Sequence, residues 1–300
     1  MGVSWGLLST ARINDAILAA APEMVVTVAS RSAERAEAYA REKGIARWHG
    51  SYEALLADPE VDAVYVSLPN GMHVDWSIRA LEAGKHVLVE KPFDRRAAEV
   101  ERAFDVAESR GLVLSEAYMW RHHPQTRKLV DLLERVAPVK LVRATFSFPL
   151  DAPGDVRWDP GLDGGSLMDV GCYCVSGIRL VLGEPSEVRG LGVGDGVDRN
   201  FAGVMRFESG ALATFDCGFD LPERESLEVV GDGGTIVLDD PWHARKPCIV
   251  VNGKRVNVKR ANSYRLELED VSRAIEDGRP PLLGREDAVA QARVIEALLA

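Results

Sequence analysis

The stretch His86-Val87-Leu88-Val89-Glu90-Lys91-Pro92-Phe93-Asp94 decides how the chain is read. Its first half is a short apolar run, the pattern of a strand buried on both faces of a parallel sheet. Its second half puts an acid, a lysine and a proline where that strand ends. In open α/β sheets ligands bind outside the carboxyl ends of the strands. An ammonium group fixed there can donate a hydrogen bond to a carbonyl or alkoxide oxygen, and Pro92 stiffens the turn behind it. Taken alone, a Glu-Lys-Pro is more often a surface ion pair at a strand end; its neighbours decide.

Upstream, Val3–Leu8 reads as a first strand, followed by the turn Ser9-Thr10-Ala11-Arg12-Ile13-Asn14 and an alanine-rich helix to about Ala20. Against the dinucleotide fingerprint G-x-G-x-x-G, Gly6 is present, while Ser9 and Ala11 stand where glycine is preferred. The turn still offers backbone N–H groups and a helix N-terminus to a pyrophosphate, although a plain βα turn has the same features. Met24–Ala29 is a second strand, ending in Ser30-Arg31-Ser32 and followed by Glu34 and Arg35. An NAD site places an acid at this strand end for the ribose 2′-OH, whereas an arginine suits a 2′-phosphate. Neither position 30 nor 31 is acidic; the alternative is that Arg31 only opens a solvated helix.

Val61–Leu68 is a third strand, ending in the turn Pro69-Asn70-Gly71-Met72-His73 at the same sheet edge. A helix from about Val74 to Ala83, with Gly84 suited to its C′ position, leads into the opening stretch. A further helix, Ala97–Arg110, is apolar at Val100, Ala103, Phe104 and Ala107 and stops at Gly111. Leu112–Leu114 is the next strand, leading to Ser115-Glu116-Ala117. Strands and helices alternate throughout, which implies a doubly wound parallel sheet.

After Ala117 the pattern changes. Tyr118 to Pro124 leads into a helix to about Arg135, and from Lys140 the period becomes two: Val142, Ala144, Phe146 and Phe148 alternate with Arg143, Thr145 and Ser147. Further strands are expected at Glu187–Val193, Asn200–Phe207, Ala211–Phe219, Ser226–Val230 and Thr235–Leu238. Cys248–Val251 and Arg255–Val258 flank Asn252-Gly253-Lys254, a hairpin signal. The result is a large, mostly antiparallel sheet. Helices near Tyr264–Asp277 and Asp287–Leu299 close the chain.

One helix is inserted among these strands. It starts in Asp163-Gly164-Gly165-Ser166-Leu167-Met168-Asp169-Val170-Gly171-Cys172-Tyr173 and runs to about Leu182. Asp169 and Tyr173 are four apart and share a helix face. Gly164 and Gly165 let the backbone approach something closely, and a ligand is the expected neighbour. An isolated Asp-x-x-x-Tyr is usually a local hydrogen-bonding pair; it becomes chemistry if that face looks toward Lys91. His122-His123 does not read as a metal site, because adjacent helical residues face different ways and no carboxylate is suitably spaced; structural or substrate-lining roles fit it better.

The composition of the 300 residues is 46% hydrophobic and 27% charged, ordinary for a soluble globular protein. A net charge of −10 argues against a nucleic-acid partner, since no basic surplus exists to neutralise phosphates. No apolar run approaches the length of a membrane span, no leader is recognisable, and a cytoplasmic location is expected. The four cysteines, Cys172, Cys174, Cys217 and Cys248, show no zinc spacing and read as small buried hydrophobes.

Together these pieces resemble the Gfo/Idh/MocA oxidoreductases over essentially the full length. Four motifs carry the resemblance: Trp5-Gly6-Leu7-Leu8-Ser9-Thr10-Ala11-Arg12-Ile13, Leu68-Pro69-Asn70 with His73, Glu90-Lys91-Pro92, and Gly164-Gly165 through Asp169, Gly171 and Tyr173. The tyrosine in the last motif, with Glu116 to Pro124, is similar to the branch of dimeric dihydrodiol dehydrogenase, NADP-dependent xylose dehydrogenase and the sugar 3-ketoreductases. The resemblance implies an α/β fold with a Rossmann-type dinucleotide-binding domain at 1–117 and, at 118–300, a substrate-binding and oligomerisation domain built on an open, mostly antiparallel sheet. It implies NADP(H) as preferred cofactor, NAD(H) being possible, a carbohydrate-like substrate, and a homodimer or homotetramer formed through the open sheet.

It further implies Lys91 and Tyr173 as the catalytic pair, with Asp169 either positioning substrate hydroxyls or orienting Lys91. A phenol held against a carbonyl oxygen can donate a proton as hydride reaches the carbon, and an ammonium lowers the tyrosine pKa from about 10. Cofactor contacts are then expected from Gly6 and Ser9 to Ile13, from Ser30, Arg31 and Arg35, from Leu68, Pro69, Asn70 and His73, from Glu90, Lys91 and Pro92, and from Arg121 and Trp158. Trp120, Arg157 and Tyr264 join Asp169 and Tyr173 as substrate-binding candidates, and no metal is expected. Two competing activities are known on this fold: a regulator that binds a dinucleotide without turning it over, against which the intact Lys91 and Tyr173 argue, and an NAD-dependent glycosidase, against which Ser30-Arg31 argues.

Overall fold

The computed structural model describes residues 2–300. It divides into two compact units, the first comprising the chain up to Asp94, Ala98–Tyr118 and Tyr264–Val289, the second Arg95–Ala97, Met119–Ser263 and Ala290–Ala300. A single cut at 117/118 therefore misses the return of the chain into its first unit.

Six strands form the sheet of the first unit: β1 (Trp5–Leu7), β2 (Val25–Ala29), β3 (Arg47–His49), β4 (Ala63–Val66), β5 (His86–Glu90) and β6 (Leu114–Ala117). All pairings are parallel and the order is β3-β2-β1-β4-β5-β6. The chain starts in the middle and winds first to one side, then to the other, so the strand order reverses beside β1, and a crevice at the carboxyl ends is the place for a ligand. Helices α1 (Asn14–Ala20), α2 (Ala33–Lys43), α3 (Tyr52–Leu56), α4 (His73–Glu82) and α5 (Ala97–Ser109) make the connections. β4 and the middle of β5 are fully buried, as their unbroken apolar runs require. On one face Trp5, Leu7, Ala63, Tyr65 and Leu88 pack with Leu268 and Val271 of the returning helix Ser263–Asp277. The Trp5 indole N–H donates to Ser272 Oγ at 3.1 Å, satisfying a polar group this core would otherwise strand.

β3 and α3 were not anticipated, because three- and five-residue elements are too short to show a period. β6 starts two residues later than Leu112, since Leu112 N–H bonds back to Ala107 O at 2.9 Å and, with Gly111 at φ 66°, ends α5.

The second unit holds α6 (Pro124–Leu132), α7 (Cys172–Leu182) and an eight-stranded sheet. Its strands are β7 (Val139–Ser147), β8 (Glu187–Val193), β9 (Asn200–Arg206), β10 (Leu212–Gly218), β11 (Arg224–Gly231), β12 (Gly234–Leu238), β13 (Cys248–Val251) and β14 (Lys254–Asn257). The order is β14-β13-β12-β11-β7-β10-β9-β8, and only β7 and β10 pair in parallel. Asn252 and Gly253 both take positive φ, 50° and 75°, the geometry expected of the β13–β14 turn. α8 (Ser263–Asp277) and α9 (Arg285–Leu299) end the chain.

α7 packs on β7, β10 and β11. Val142, Ala144, Phe146, Ala213, Phe215 and Cys217 are buried, whereas Leu191, Val204 and Leu212 are 81%, 51% and 50% exposed. The period of two thus separates a covered face from an open one. The segment Pro160–Leu182 corrects one expectation: by length and composition it could cross a membrane, but 83% of its apolar window is buried, as in the core helix of a globular unit. The cysteines are free, and Cys172, Cys174 and Cys217 are buried, as small hydrophobes would be.

Candidate active site

The turn after β1 is built from three polar side chains. The Ser9 hydroxyl donates to Ser67 O at 2.9 Å and accepts the Ala11 N–H at 3.0 Å. Asn14, fully buried, donates to Ser9 O at 2.8 Å and accepts from Ser67 Oγ at 2.7 Å. The Ser9 hydroxyl proton is thus committed within the protein, and the side chain ties the turn to the end of β4. Asn14 and Ser67 were missed; a polar residue at the first helical position was the available signal. A Cβ on Gly6 would meet Leu55 at 3.0 Å and Val61 at 3.2 Å, so this glycine serves the close packing around α3. Thr10, Ala11 and Ile13 are partly exposed and Arg12 is exposed.

At the end of β2, Ser30 is buried and Arg31 and Arg35 are exposed. Ser32 caps α2 by accepting the Arg35 N–H and donates its own proton to Glu34 at 2.6 Å. That bond holds the Glu34 carboxyl below its usual value, so the nearest acid is occupied by the cap. Arg31 bonds the Tyr52 hydroxyl; burial raises the Tyr52 pKa, and the charges of Arg31 and Arg35 oppose that rise. Two guanidinium groups therefore stand where an NAD site would place a carboxylate.

The ends of β4 and β5 are joined by His73. Its Nδ1 lies 2.8 Å from Pro92 O and its Nε2 2.7 Å from Leu68 O, and the ring is 1% exposed. Burial holds its pKa below the usual value, against the pull of the two carbonyls. His73, expected among the cofactor contacts, thus sits wedged between the Leu68-Pro69-Asn70 segment and the Lys91-Pro92 turn, its ring N–H bonding one of the two carbonyls. Phe93 N–H donates to Glu116 Oε1 at 2.9 Å, fixing the far side of that turn. Lys91, partly exposed, follows directly on the last residue of β5, and the Lys91–Pro92 peptide is cis.

Behind this turn lies an acid that sequence reading did not single out. The Tyr65 hydroxyl donates to Glu90 Oε1. Glu267, on α8, is 1% exposed and its Oε1 has no hydrogen-bond partner. Burial pushes its carboxyl well above the glutamate value of 4.5, and Glu90 and Asp270 add to the rise. Tyr264, a substrate-binding candidate, lies in this first unit, its pKa raised by burial and then by Glu90 and Glu267. The linkage has a definite sign. An acid whose folded-state pKa is raised contributes fully below its unfolded value, and that contribution is lost as pH rises through the folded one. Stability of the wild type should therefore decline with rising pH more steeply than that of Glu267→Gln. The variant should gain on the order of 1–3 kcal/mol on the alkaline side, the cost of a buried unsatisfied group. Denaturant titrations at several pH values check this, and parallel curves for the two proteins would refute it.

In the second unit, Leu167–Gly171 forms a π turn leading directly into α7. Such turns are frequent at functional sites, and this one shifts the phase between Asp169 and Tyr173 that four-residue α-helical spacing implied. Arg157 Nε donates to Asp169 Oδ2 at 2.7 Å, and Arg157 Nη1 to Asp155 Oδ1 at 3.1 Å. Asp169 is the largest cause of the upward shift of the Arg157 pKa. The Tyr173 ring contacts Phe146 and Trp242 at centroid distances of 5.3 and 6.0 Å. The close approach permitted by Gly164 and Gly165 is to the protein itself, which corrects the ligand reading: a Cβ on Gly164 would overlap the Arg157 carbonyl, and one on Gly165 the Asp198 carboxylate. Trp120 is 1% exposed and packs edge-on against Trp242 at 5.2 Å, a core position. Arg121 lies over the Trp120 ring and Trp158 packs on Phe219. His123 is structural, its Nδ1 accepting the Gln125 N–H at the start of α6. Lys91 belongs to the first unit, Asp169 and Tyr173 to the second.

Comparison with known proteins matches both units. Residues 2–118 fit the oxidoreductase family with NAD-binding Rossmann fold, and residues 127–237 the GFO/IDH/MocA C-terminal domain. The chain is 40% identical to D-xylose 1-dehydrogenase (NADP(+)) 2 of Haloferax volcanii, over 98% of this chain and 95% of that one. It is 32% identical to trans-1,2-dihydrobenzene-1,2-diol dehydrogenase of Sus scrofa, over 80% and 75%. Its fold superposes with a TM-score of 0.94 on a 3-ketoreductase from Actinomadura kijaniata crystallised with NADP and TDP-benzene, at 28% identity, covering 100% of this chain and 97% of the other.

Proposed function

The chain belongs to the Gfo/Idh/MocA oxidoreductase family, and from that premise we propose its reaction: NADP-dependent transfer of a hydride between the nicotinamide and a hydroxyl or carbonyl carbon of a sugar or related polyol or diol. The observation that carries the cofactor half is the pair Arg31 and Arg35 at the end of β2, with Glu34 tied to Ser32. These residues fit a 2′-phosphate: an arginine fork makes charge-assisted bonds to phosphate oxygens, and the turn leading into the N-terminus of α1 suits a pyrophosphate.

The bound cofactor supplies the hydride. The protein supplies the rest. Tyr173 gives its phenolic proton to the oxygen that gains negative charge. Lys91 holds positive charge at the carboxyl end of β5, where it stabilises the phenolate and the developing alkoxide. Asp169, held in place by Arg157, accepts hydrogen bonds from substrate hydroxyls. The wedged His73 and the Phe93–Glu116 bond keep the Lys91 turn in place through the cycle. Assay of a panel of aldoses, ketosugars and diols with NADP and NADPH, following cofactor absorbance, tests the reaction; no turnover across the panel, with cofactor bound, would leave the regulator reading in its place.

Cofactor choice has its own test. Charge-assisted bonds of about 1.5–3 kcal/mol correspond to roughly ten- to a hundredfold in affinity. Arg31→Ala should therefore weaken NADP binding by about that factor and leave NAD nearly unchanged. Titration of both cofactors reads it directly, and equal losses for the two would show that the 2′-phosphate is not read here.

The open face of the sheet carries Leu191, Val204 and Leu212 exposed. Apolar exposure of this kind favours self-association, and a homodimer or homotetramer formed through that face is the assembly we favour. Free thiols fit a cytoplasmic location.

A further inference from the structure

We propose that Asp198, in the connection between β8 and β9, is a positioning residue for the reaction, acting by capping the helix that carries Asp169 and Tyr173. The inference rests on the proposed role of that helix.

The first N–H groups of a helix have no partner within it, and a side chain just before the helix ordinarily supplies one. Here the preceding residue does not: Ser166 makes no side-chain cap. Its hydroxyl instead donates to Asp198 Oδ2 at 2.6 Å, and the same oxygen accepts the Leu167 N–H at 2.7 Å. Asp198 O accepts the Ser166 N–H at 2.9 Å. The cap thus comes from a hairpin distant in sequence, and its negative charge lies at the positive end of the helix dipole. The chain is shaped to admit it. Gly165 has φ 110°, a conformation that disfavours side chains, and a Cβ there would overlap the Asp198 carboxylate. On the other side, Gly165 N–H donates to Arg157 O at 2.9 Å, and Arg157 is the residue that holds Asp169.

Asp198 therefore fixes the first residue of the π turn, Arg157 its third, and Tyr173 follows on the next turn. Burial raises the Asp198 carboxyl above its usual value while the bonds from Ser166 and Leu167 oppose the rise. A charged group held at that cost has its acceptor geometry as the compensating gain. The β8–β9 hairpin thereby connects the edge of the open sheet, where Leu191 and Val193 are exposed, to the start of the catalytic helix.

The test compares Asp198→Ala, Asp198→Asn and Tyr173→Phe on a substrate identified by the panel. Misplacement of a reacting group by about 1 Å costs up to roughly a hundredfold in rate. Asp198→Ala should lower kcat by about ten- to a hundredfold, with KM and NADPH affinity changed by far less. Asp198→Asn, which keeps an acceptor oxygen, should recover most of the loss. An Asp198→Ala kcat within about twofold of wild type, or an Asp198→Asn enzyme as slow as Asp198→Ala, overturns the inference. Should Asp198→Ala show no cooperative melt, Ser166→Ala carries the test by removing one of the two side-chain bonds. A kcat lowered by roughly two- to tenfold supports the inference, the equivalent of one net hydrogen bond, and an unchanged kcat overturns it. If Tyr173→Phe keeps wild-type turnover, the functional reading and this inference both fall. If it loses turnover and Asp198→Ala does not, the inference alone falls.

Discussion

Tyr173→Phe should leave a folded enzyme that binds NADPH as the wild type does and turns over about a hundred- to ten-thousandfold more slowly, the range for loss of a general acid. The aromatic cage explains why the change is clean. The ring is 8% exposed and packed against Phe146 and Trp242. Phenylalanine fills the same space, so neither a cavity nor a rotamer change is introduced. What disappears is one hydroxyl, and with it the proton that the proposed mechanism delivers to the developing alkoxide. Because substrate binding rests on other groups, KM should stay within a few-fold while kcat collapses, the signature of an interaction made in the transition state alone. Steady-state kinetics in the reductive direction measures this. A kcat close to wild type would remove Tyr173 from the mechanism.

Much of this architecture was legible because burial on both faces writes an unbroken apolar run and burial on one face writes an alternating one. β4 and β5 are of the first kind; β7, β9 and β10 are of the second, and their bounds fall within a residue or two of those expected. Short elements escaped for the converse reason: Arg47–His49 is an edge strand in which Trp48 is 40% exposed, and it shows neither pattern. The limits of the sequence are plainest around the site. Ser9 and Gly6 match a phosphate-binding motif by position, yet one is spent on Ser67 and the other on packing against Leu55. His73 matches a cofactor motif and is wedged between two backbone segments. In each case the residue type was legible while its partner, brought near only by folding, was not. Glu267 and Asp198 are the extreme form. Each lies far in sequence from the motif it serves, and nothing in the local pattern marks an acid as buried beneath Glu90 or as the cap of a helix thirty residues earlier. The same holds for Arg157, whose bond to Asp169 fixes the position of that carboxylate, a partnership its place in a motif could not indicate.

Lys91→Met should lower kcat by about a hundred- to a thousandfold, the loss typical of a single preorganised donor to a developing oxyanion. Methionine keeps the length and the apolar stem of lysine but has no charge and no N–H. The fold around it has supports other than the ammonium group. The turn is held by His73, wedged between Pro92 O and Leu68 O, by the Phe93–Glu116 bond, and by the pairing of β5 with β4 and β6. The melting transition should consequently stay close to that of wild type, and NADPH should still bind, since Arg31 and Arg35 at the end of β2 are untouched. Lys91→Arg separates charge from shape: it restores positive charge but presents a broad planar fork where a compact ammonium stood, and should recover only part of the rate. The pH dependence adds a second, independent reading. If Lys91 lowers the pKa of the catalytic phenol, its removal should move the alkaline limb of the kcat profile upward, because the phenol then holds its proton to higher pH. A Lys91→Met enzyme with wild-type kcat on a confirmed substrate, or with an unmoved alkaline limb beside a reduced kcat, would separate Lys91 from the tyrosine and leave it a cofactor-binding residue alone.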